Sequence, residues 1–180
     1  MPFAEGVTPQ GNKTTTTTME IIRLQSVTDA QIGEILALMR ELDPEIAVTP
    51  EMVRRAVEAP GTHFFAMLDS ALPAGHDMEA GPHAAAGRIV GCASLCVTAS
   101  PTGCKAHIED VVVLSSYRGQ QLGRRLLEHV LGYARKELPA GTKIYLTSRP
   151  HRVAANALYQ SLGFRRKETN VYEIIATFAS

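Results

Sequence analysis

The sequence predicts a mixed α/β fold, and three observations carry that prediction. Short runs alternating apolar and polar residues, the period of a strand, are interleaved with runs whose apolar residues recur every three or four positions, the period of a helix. Helix-start signals stand before two of the helical runs: Thr28 with Gln31, and Thr49 with Pro50. The stretch from His107 to Arg124 reads as a strand, a short turn and a glycine-bearing loop that opens into a helix.

The elements follow in order. Residues 1–18 hold Gly, Pro, Asn and a threonine run without periodicity, and are expected to be a disordered tail, leaving 19–180 as one domain. Residues 20–25 alternate around Ile21, Ile22 and Leu24, as a first strand would. Thr28 and Gln31 form a capping box for a helix with a stripe of Ile32, Ile35, Leu36 and Met39, which Asp43-Pro44 stops. Thr49 caps a second helix with Pro50 in its first position and Met52, Val53, Ala56 and Val57 on its apolar face; Pro60-Gly61 ends it. Residues 62–68 and 88–97 read as the next two strands. The Ala-, Gly- and Pro-rich stretch 70–87 between them is long for a connection and reads as a surface loop.

Residues 105–114 make a fourth strand. The helix after the glycine loop buries Leu122, Leu126, Leu127, Val130, Leu131 and Ala134 and keeps Arg124, Arg125, Glu128 and Lys136 outside. After a Pro139-Ala140-Gly141 turn come a strand at 143–147 and a helix at 152–162, which Gly163 ends in a C′ position. Closing strands are expected at 164–167 and 170–177. No internal repeat is visible.

Composition bounds the function. At 180 residues the chain suits one domain with a real core. Eighteen basic residues balance eighteen acidic ones, so no global nucleic-acid or membrane surface is expected. No apolar run approaches the roughly 20 residues of a membrane helix, and the N-terminus lacks the pattern of a secretory signal. Cys92, Cys96 and Cys104 are odd in number and lack C-x-x-C spacing, which argues for reduced thiols in a cytoplasmic protein without a metal site.

The glycine loop is the strongest chemical signal. Gly119 and Gly123 bracket a helix start, whose unpaired N–H groups and positive dipole end suit a pyrophosphate; Arg118, Arg124 and Arg125 would add charge. Neither G-x-x-x-x-G-K-[ST] nor G-x-G-x-x-G occurs. What stands there is Arg118-Gly119-Gln120-Gln121-Leu122-Gly123, which resembles the acetyl-coenzyme A loop R/Q-x-x-G-x-G/A of the GCN5-related N-acetyltransferase family, with Gln121 in place of the middle glycine. Downstream, Asn156-Ala157-Leu158-Tyr159-Gln160-Ser161-Leu162-Gly163-Phe164 resembles that family's second signature, with asparagine and tyrosine set closer together. The resemblance spans roughly Met19 to Ile175.

That resemblance implies a largely antiparallel sheet flanked by helices, acetyl-coenzyme A as co-substrate, and direct attack by an amine without an acyl-enzyme. It assigns the general base to the fourth strand, where alternation puts His107, Glu109, Val111 and Val113 on one face and Ile108, Asp110 and Val112 on the other. Glu109 is the first candidate, with His107 and Asp110 as alternatives. The backbone near Val111 and Val113 would bind the acetyl and pantetheine arm, and residues Arg118, Gly119, Gln120, Gln121, Leu122, Gly123 and Arg124 the phosphates. Asn156 would bind the pantetheine arm, and Tyr159 would protonate the departing thiolate. The Arg149-Pro150-His151-Arg152 cluster reads equally as a phosphate grip or a solvated loop.

The expected acceptor is the primary amine of a small molecule. An amino-sugar phosphate is the alternative, because the run Glu109-Asp110-Val111-Val112-Val113 is similar to the glucosamine-6-phosphate acetylating branch. A protein lysine, or a non-catalytic acyl-coenzyme A-binding regulator, are the further readings. The family's habit of pairing through edge strands allows a homodimer. The loops 42–50 and 70–87 would select the acceptor.

Overall fold

The computed structural model describes residues 19–71 and 87–175. The expected tail, His76, His83 and most of the 70–87 loop lie outside the described residues. Two compact units are present, one ending at Leu146 and the other beginning at Thr147.

The first unit is a five-stranded sheet in the order β1-β2-β3-β4-β5. The strands are β1 (Met19–Leu24), β2 (Thr62–Asp69), β3 (Arg88–Ser100), β4 (Gly103–Val113) and β5 (Lys143–Tyr145). The first four pair antiparallel, and β5 joins β4 in parallel. The parallel step is possible because the helix α3 (Leu122–Glu137) crosses between them.

Local chemistry sets the helix ends. Thr28 caps α1 (Asp29–Leu42): its Oγ1 accepts from Gln31 N at 3.3 Å, while Gln31 Oε1 accepts from Thr28 N at 3.0 Å. Thr49 caps α2 (Pro50–Glu58) through Met52 N at 3.2 Å.

The sheet is covered on both faces. One side of the core joins Ile32, Ile35, Leu38 and Met39 of α1 and Val53 and Val57 of α2 to Phe64, Ala66, Leu68, Cys92 and Val112 of the sheet. On the other, Phe65 meets the rings of His129 and Tyr133 of α3 edge-on. With helices on both faces, β2 and the middle of β3 are buried at consecutive positions and lose the polar alternation of a one-sided strand.

The second unit holds α4 (Val153–Ser161). Its end is a Schellman motif. Gly163 takes φ +92°, its N–H donates to Gln160 O at 3.0 Å, and Phe164 N donates to Tyr159 O at 3.1 Å. The apolar contact that accompanies such a cap is the Tyr159 ring edge-on to Phe164, 6.2 Å between centroids. The spacing Tyr-x-x-x-Gly-Phe is therefore that of a helix ending on a left-handed glycine.

One expectation fails here. Residues 164–175 form no strand, and Val171, Tyr172, Ile174 and Ile175 are exposed. Alternation gives a segment the propensity of a strand, but a strand exists only when its backbone finds an edge to pair with. Among the described residues this segment pairs with none.

Candidate active site

The site is built where β4 bends. Glu109 pairs with Ser94 and Val112 with Cys92, so Asp110 and Val111 together oppose Ala93. This extra residue is a β-bulge, and Asp110 adopts φ +54° to make it. Cross-strand partners share a face, so the bulge changes which residues point together. His107, Glu109 and Val112 lie on the face covered by α1 and α2; Ile108 and Val113 lie on the other. Uninterrupted alternation, which would put Val111 and Val113 with Glu109, is corrected by that single inserted residue.

Glu109 is half-buried. Burial first, and the negative charge of Asp110 second, raise its pKa above the usual carboxylate value, while His107 opposes the rise. The His107 Nδ1 to Glu109 Oε1 distance is 4.0 Å, and the His107 ring stacks on Tyr145 at 5.4 Å. Although Asp110 keeps surface open to water, protein packed around its carboxyl raises its pKa too. Cys92 is buried, and its thiol is pushed far up by burial and by Asp110; the Cys96 thiol is also raised, chiefly by burial. Neither offers a thiolate nucleophile. Among the described residues no group of His, Cys, Asp or Glu is arranged to hold a metal.

The outer edge of β4 opens next to the bulge. β5 pairs only with Lys105, Ala106 and His107, so from Ile108 to Val113 that edge carries no further strand among the described residues. Apart from Val113 O, which accepts from Arg118 Nε, and Asp110 O, which accepts from Cys92 Sγ, the outward backbone groups of this stretch suit a ligand arm running along it. The edge leads through a short 3-10 turn, Ser115–Tyr117, into the glycine loop.

That loop is fastened from two sides. On α1, Glu41 accepts from Ser115 N at 2.7 Å, Ser115 Oγ at 3.2 Å and Arg118 Nη2 at 3.3 Å. On β2, the buried Asp69 accepts from Tyr117 Oη at 2.8 Å and Ala71 N at 3.0 Å. Arg118 Nε also donates to Val113 O at 3.4 Å. Both carboxylates were invisible as site residues in the sequence, since Glu41 lies 74 positions from Ser115.

The start of α3 has the geometry of an anion seat. Gln121 is its N-cap residue in left-handed conformation, φ +57°, and its side chain makes no cap bond. The first intrahelical bond is Arg125 N to Gln121 O at 3.1 Å, so the N–H groups of Leu122, Gly123 and Arg124 precede the hydrogen-bonded ladder. The first turn holds no acidic residue. Gly119 has φ +78°, with nothing within 4 Å of where a Cβ would stand. Gln120 is exposed, and the Leu122 side chain is buried beneath the seat. The positive φ values thus fall on Gly119 and Gln121, not on Gly123, which sits in the helix. Arg124 Nη1 pairs with Glu128 at 3.5 Å, and Arg125 Nη2 donates to Met19 O at 3.1 Å. An uncapped helix N-terminus, an arginine before it and an unpaired strand edge suit the phosphates and arm of acetyl-coenzyme A.

In the second unit, Tyr159 is half-buried on α4, and burial raises its pKa, so the phenol keeps its proton at neutral pH. Asn156 lies one turn earlier; its Nδ2 donates to Arg149 O at 3.0 Å and fastens the turn before the helix. Val153 follows the N-cap Arg152, and Arg149 is held in that turn.

The pattern of the acetyltransferase (GNAT) family matches residues 44–164. A glucosamine 6-phosphate N-acetyltransferase of Trypanosoma brucei brucei is 36% identical over 124 residues, 66% of this chain and 81% of that protein. The N-alpha-acetyltransferase RimI of Mycobacterium tuberculosis is 35% identical over 80 residues, and the match spans 48% of its length and 44% of this chain. Among solved structures, an acetyltransferase of Trypanosoma brucei superposes with a TM-score of 0.59 at 26% identity, covering 88% of this chain and all of the other (100%). Arabidopsis thaliana NAA60 with acetyl-CoA shares the fold at a TM-score of 0.64 and 18% identity, covering 82% and 85% of the two chains. With its bulged β4, its seat at the start of α3 and these relatives, the chain belongs to the GCN5-related N-acetyltransferase family, whose enzymes use acetyl-coenzyme A.

Proposed function

We propose that this protein moves the acetyl group of acetyl-coenzyme A to the primary amine of a small molecule by direct attack. The observation that carries the reading is the succession along β4 and into α3: a carboxylate of raised pKa at Glu109, a backbone edge from Ile108 to Val113 beyond the pairing with β5, and the uncapped start of α3. Acetyl-coenzyme A supplies the activated thioester. The backbone at Val111 and Val113 and the first-turn N–H groups of α3 hold its arm and phosphates, with Arg118 adding charge.

An amine arrives mostly as ammonium and attacks only after losing a proton. Glu109 takes that proton, directly or through one water. Its raised pKa brings the carboxylate nearer to the working pH than an ordinary glutamate. Tyr159, protonated at neutral pH, serves as proton donor to the leaving sulfur, and Asn156 binds the pantetheine arm. The raised thiols of Cys92 and Cys96 favour direct attack over a cysteine-bound acyl group. Three reduced cysteines suit a cytoplasmic setting.

A second reading narrows the acceptor to an amino-sugar phosphate. The Glu109–Val113 run and the 36%-identical relative named for glucosamine 6-phosphate favour it. The test for both is thiol release from acetyl-coenzyme A by the purified protein with a panel of amines that includes amino sugars, their phosphates and N-terminal peptides. Release with small amines supports the reading. Release with peptides alone, or cofactor binding without any release, removes it.

A further inference from the structure

Where β4 begins, the sheet holds two positive charges side by side. Lys105 and Lys143 are register partners on the parallel pair β4–β5. Side chains of such partners stand on the same face with Cβ atoms about 5 Å apart, and like charges so placed repel each other. Neither lysine forms an ion pair among the described residues. Both line a cavity of about 420 Å³, walled by Thr102 of the β3–β4 turn, by Gly103 at the start of β4 and by the loop from Pro139 to Thr142. No carboxylate lines it. Two lysines in the wall of a cavity lined by no carboxylate fit a ligand with at least one negative charge.

The register ties this cavity to Glu109. Lys105, His107 and Glu109 pair with Thr98, Cys96 and Ser94, alternate residues of β3, so all three share the face covered by α1 and α2. Lys143 and Tyr145 join them as partners of Lys105 and His107. One face thus carries a carboxylate at one end, the stacked rings of His107 and Tyr145 in the middle, and two ammonium groups at the other. Glu109 and Lys105 are four residues apart, roughly 13 Å along the strand. An acceptor with an amine at one end and an anion at the other matches that order of charges.

We propose that the Lys105–Lys143 cavity is the anion subsite of the acceptor site and takes the phosphomonoester end of an amino-sugar phosphate. This rests on Glu109 marking the end where the amine reacts. The two ammonium groups would make charge-assisted contacts to phosphate oxygens, and the sugar ring would lie over His107 and Tyr145.

The test compares glucosamine-6-phosphate with glucosamine as acceptors, and titrates glucosamine-6-phosphate calorimetrically. It uses the full chain and its Lys105→Gln, Lys143→Gln, doubly substituted and Lys→Arg variants, each checked for folding by thermal unfolding. The unsubstituted protein should favour the phosphorylated sugar at least tenfold in kcat/KM, mainly through KM. Each Gln substitution should cut that preference several-fold, the double one should bring the ratio near one, and the Arg variants should keep most of it. A protein that treats the two sugars alike, or a double variant that keeps the preference, overturns the subsite. If neither sugar is acetylated, calorimetry decides. Lysine-dependent binding of the sugar phosphate upholds the subsite and counts against the acetylation reading. Absent or lysine-independent binding overturns the subsite, even if other amines are acetylated and the acetyltransferase reading stands.

Discussion

Replacing Gln121 with glycine should stabilise the protein and tighten acetyl-coenzyme A binding. Gln121 holds φ +57° and ψ +16° with no side-chain cap bond. A left-handed conformation costs a residue with a Cβ about 1–2 kcal/mol. Glycine removes that cost but loses about 0.4–1 kcal/mol through the greater freedom of the unfolded chain. The net gain expected for Gln121→Gly is about 0.5–1 kcal/mol, or roughly 1–4 °C in Tm for a domain of this size. Gln121→Ala keeps the Cβ and so should gain nothing, while Gln121→Asn, whose short side chain tolerates this conformation, should fall between. Urea unfolding with linear extrapolation reads the stability, and calorimetry reads the affinity, which should rise several-fold as the side chain leaves the backbone N–H groups more open. A glycine variant less stable than the alanine variant would refute the strain argument. A stable glycine variant that binds the cofactor more weakly would mean that the Gln121 side chain is itself a ligand contact.

Further outcomes follow from the site. Glu109→Gln should lower turnover by about 10²-fold or more at neutral pH and by less at high pH, where free amine is abundant; an unaltered pH–rate profile would transfer the base role to His107. Asp110→Asn should shift the acid limb of that profile to lower pH, because it removes a charge that raises the Glu109 pKa. The same variant should be more stable at neutral pH: the folded-state pKa of Asp110 lies above its ordinary value of 3.8, so stability is lost as pH rises from there through the raised value, and asparagine abolishes that loss; pH-dependent urea unfolding reads it. Glu41→Ala removes the acceptor of Ser115 and Arg118 and should weaken acetyl-coenzyme A binding several-fold with a smaller change in kcat, whereas equal losses in both would mean that Glu41 also acts in the chemical step. Tyr159→Phe keeps the ring packing on Phe164, so Tm and cofactor affinity should hold while the rate falls most at lower pH; lost stability without a specific rate loss would leave Tyr159 a packing residue.

The sequence by itself determined what is local. The Thr28–Gln31 capping box, Pro50 at a helix start, the buried stripe from Leu122 to Ala134 and the left-handed Gly163 each depend on residues within a turn or two, so the pattern alone located those helices and the glycine loop. It also placed Glu109 on the strand entering that loop. The tertiary structure decided what depends on distant pairing. The bulge at Asp110 became legible only against the register of β3, and it exchanged the faces of Val112 and Val113. Glu41 and Asp69 hold the loop across 74 and 48 positions of sequence, separations over which no periodicity carries information. Lys105 and Lys143 are neighbours only because α3 returns the chain to pair β5 in parallel with β4. Residues 170–175 show the converse: their apolar alternation is strand-like, yet a strand is a property of two segments, and a sequence states the propensity of one without supplying the other.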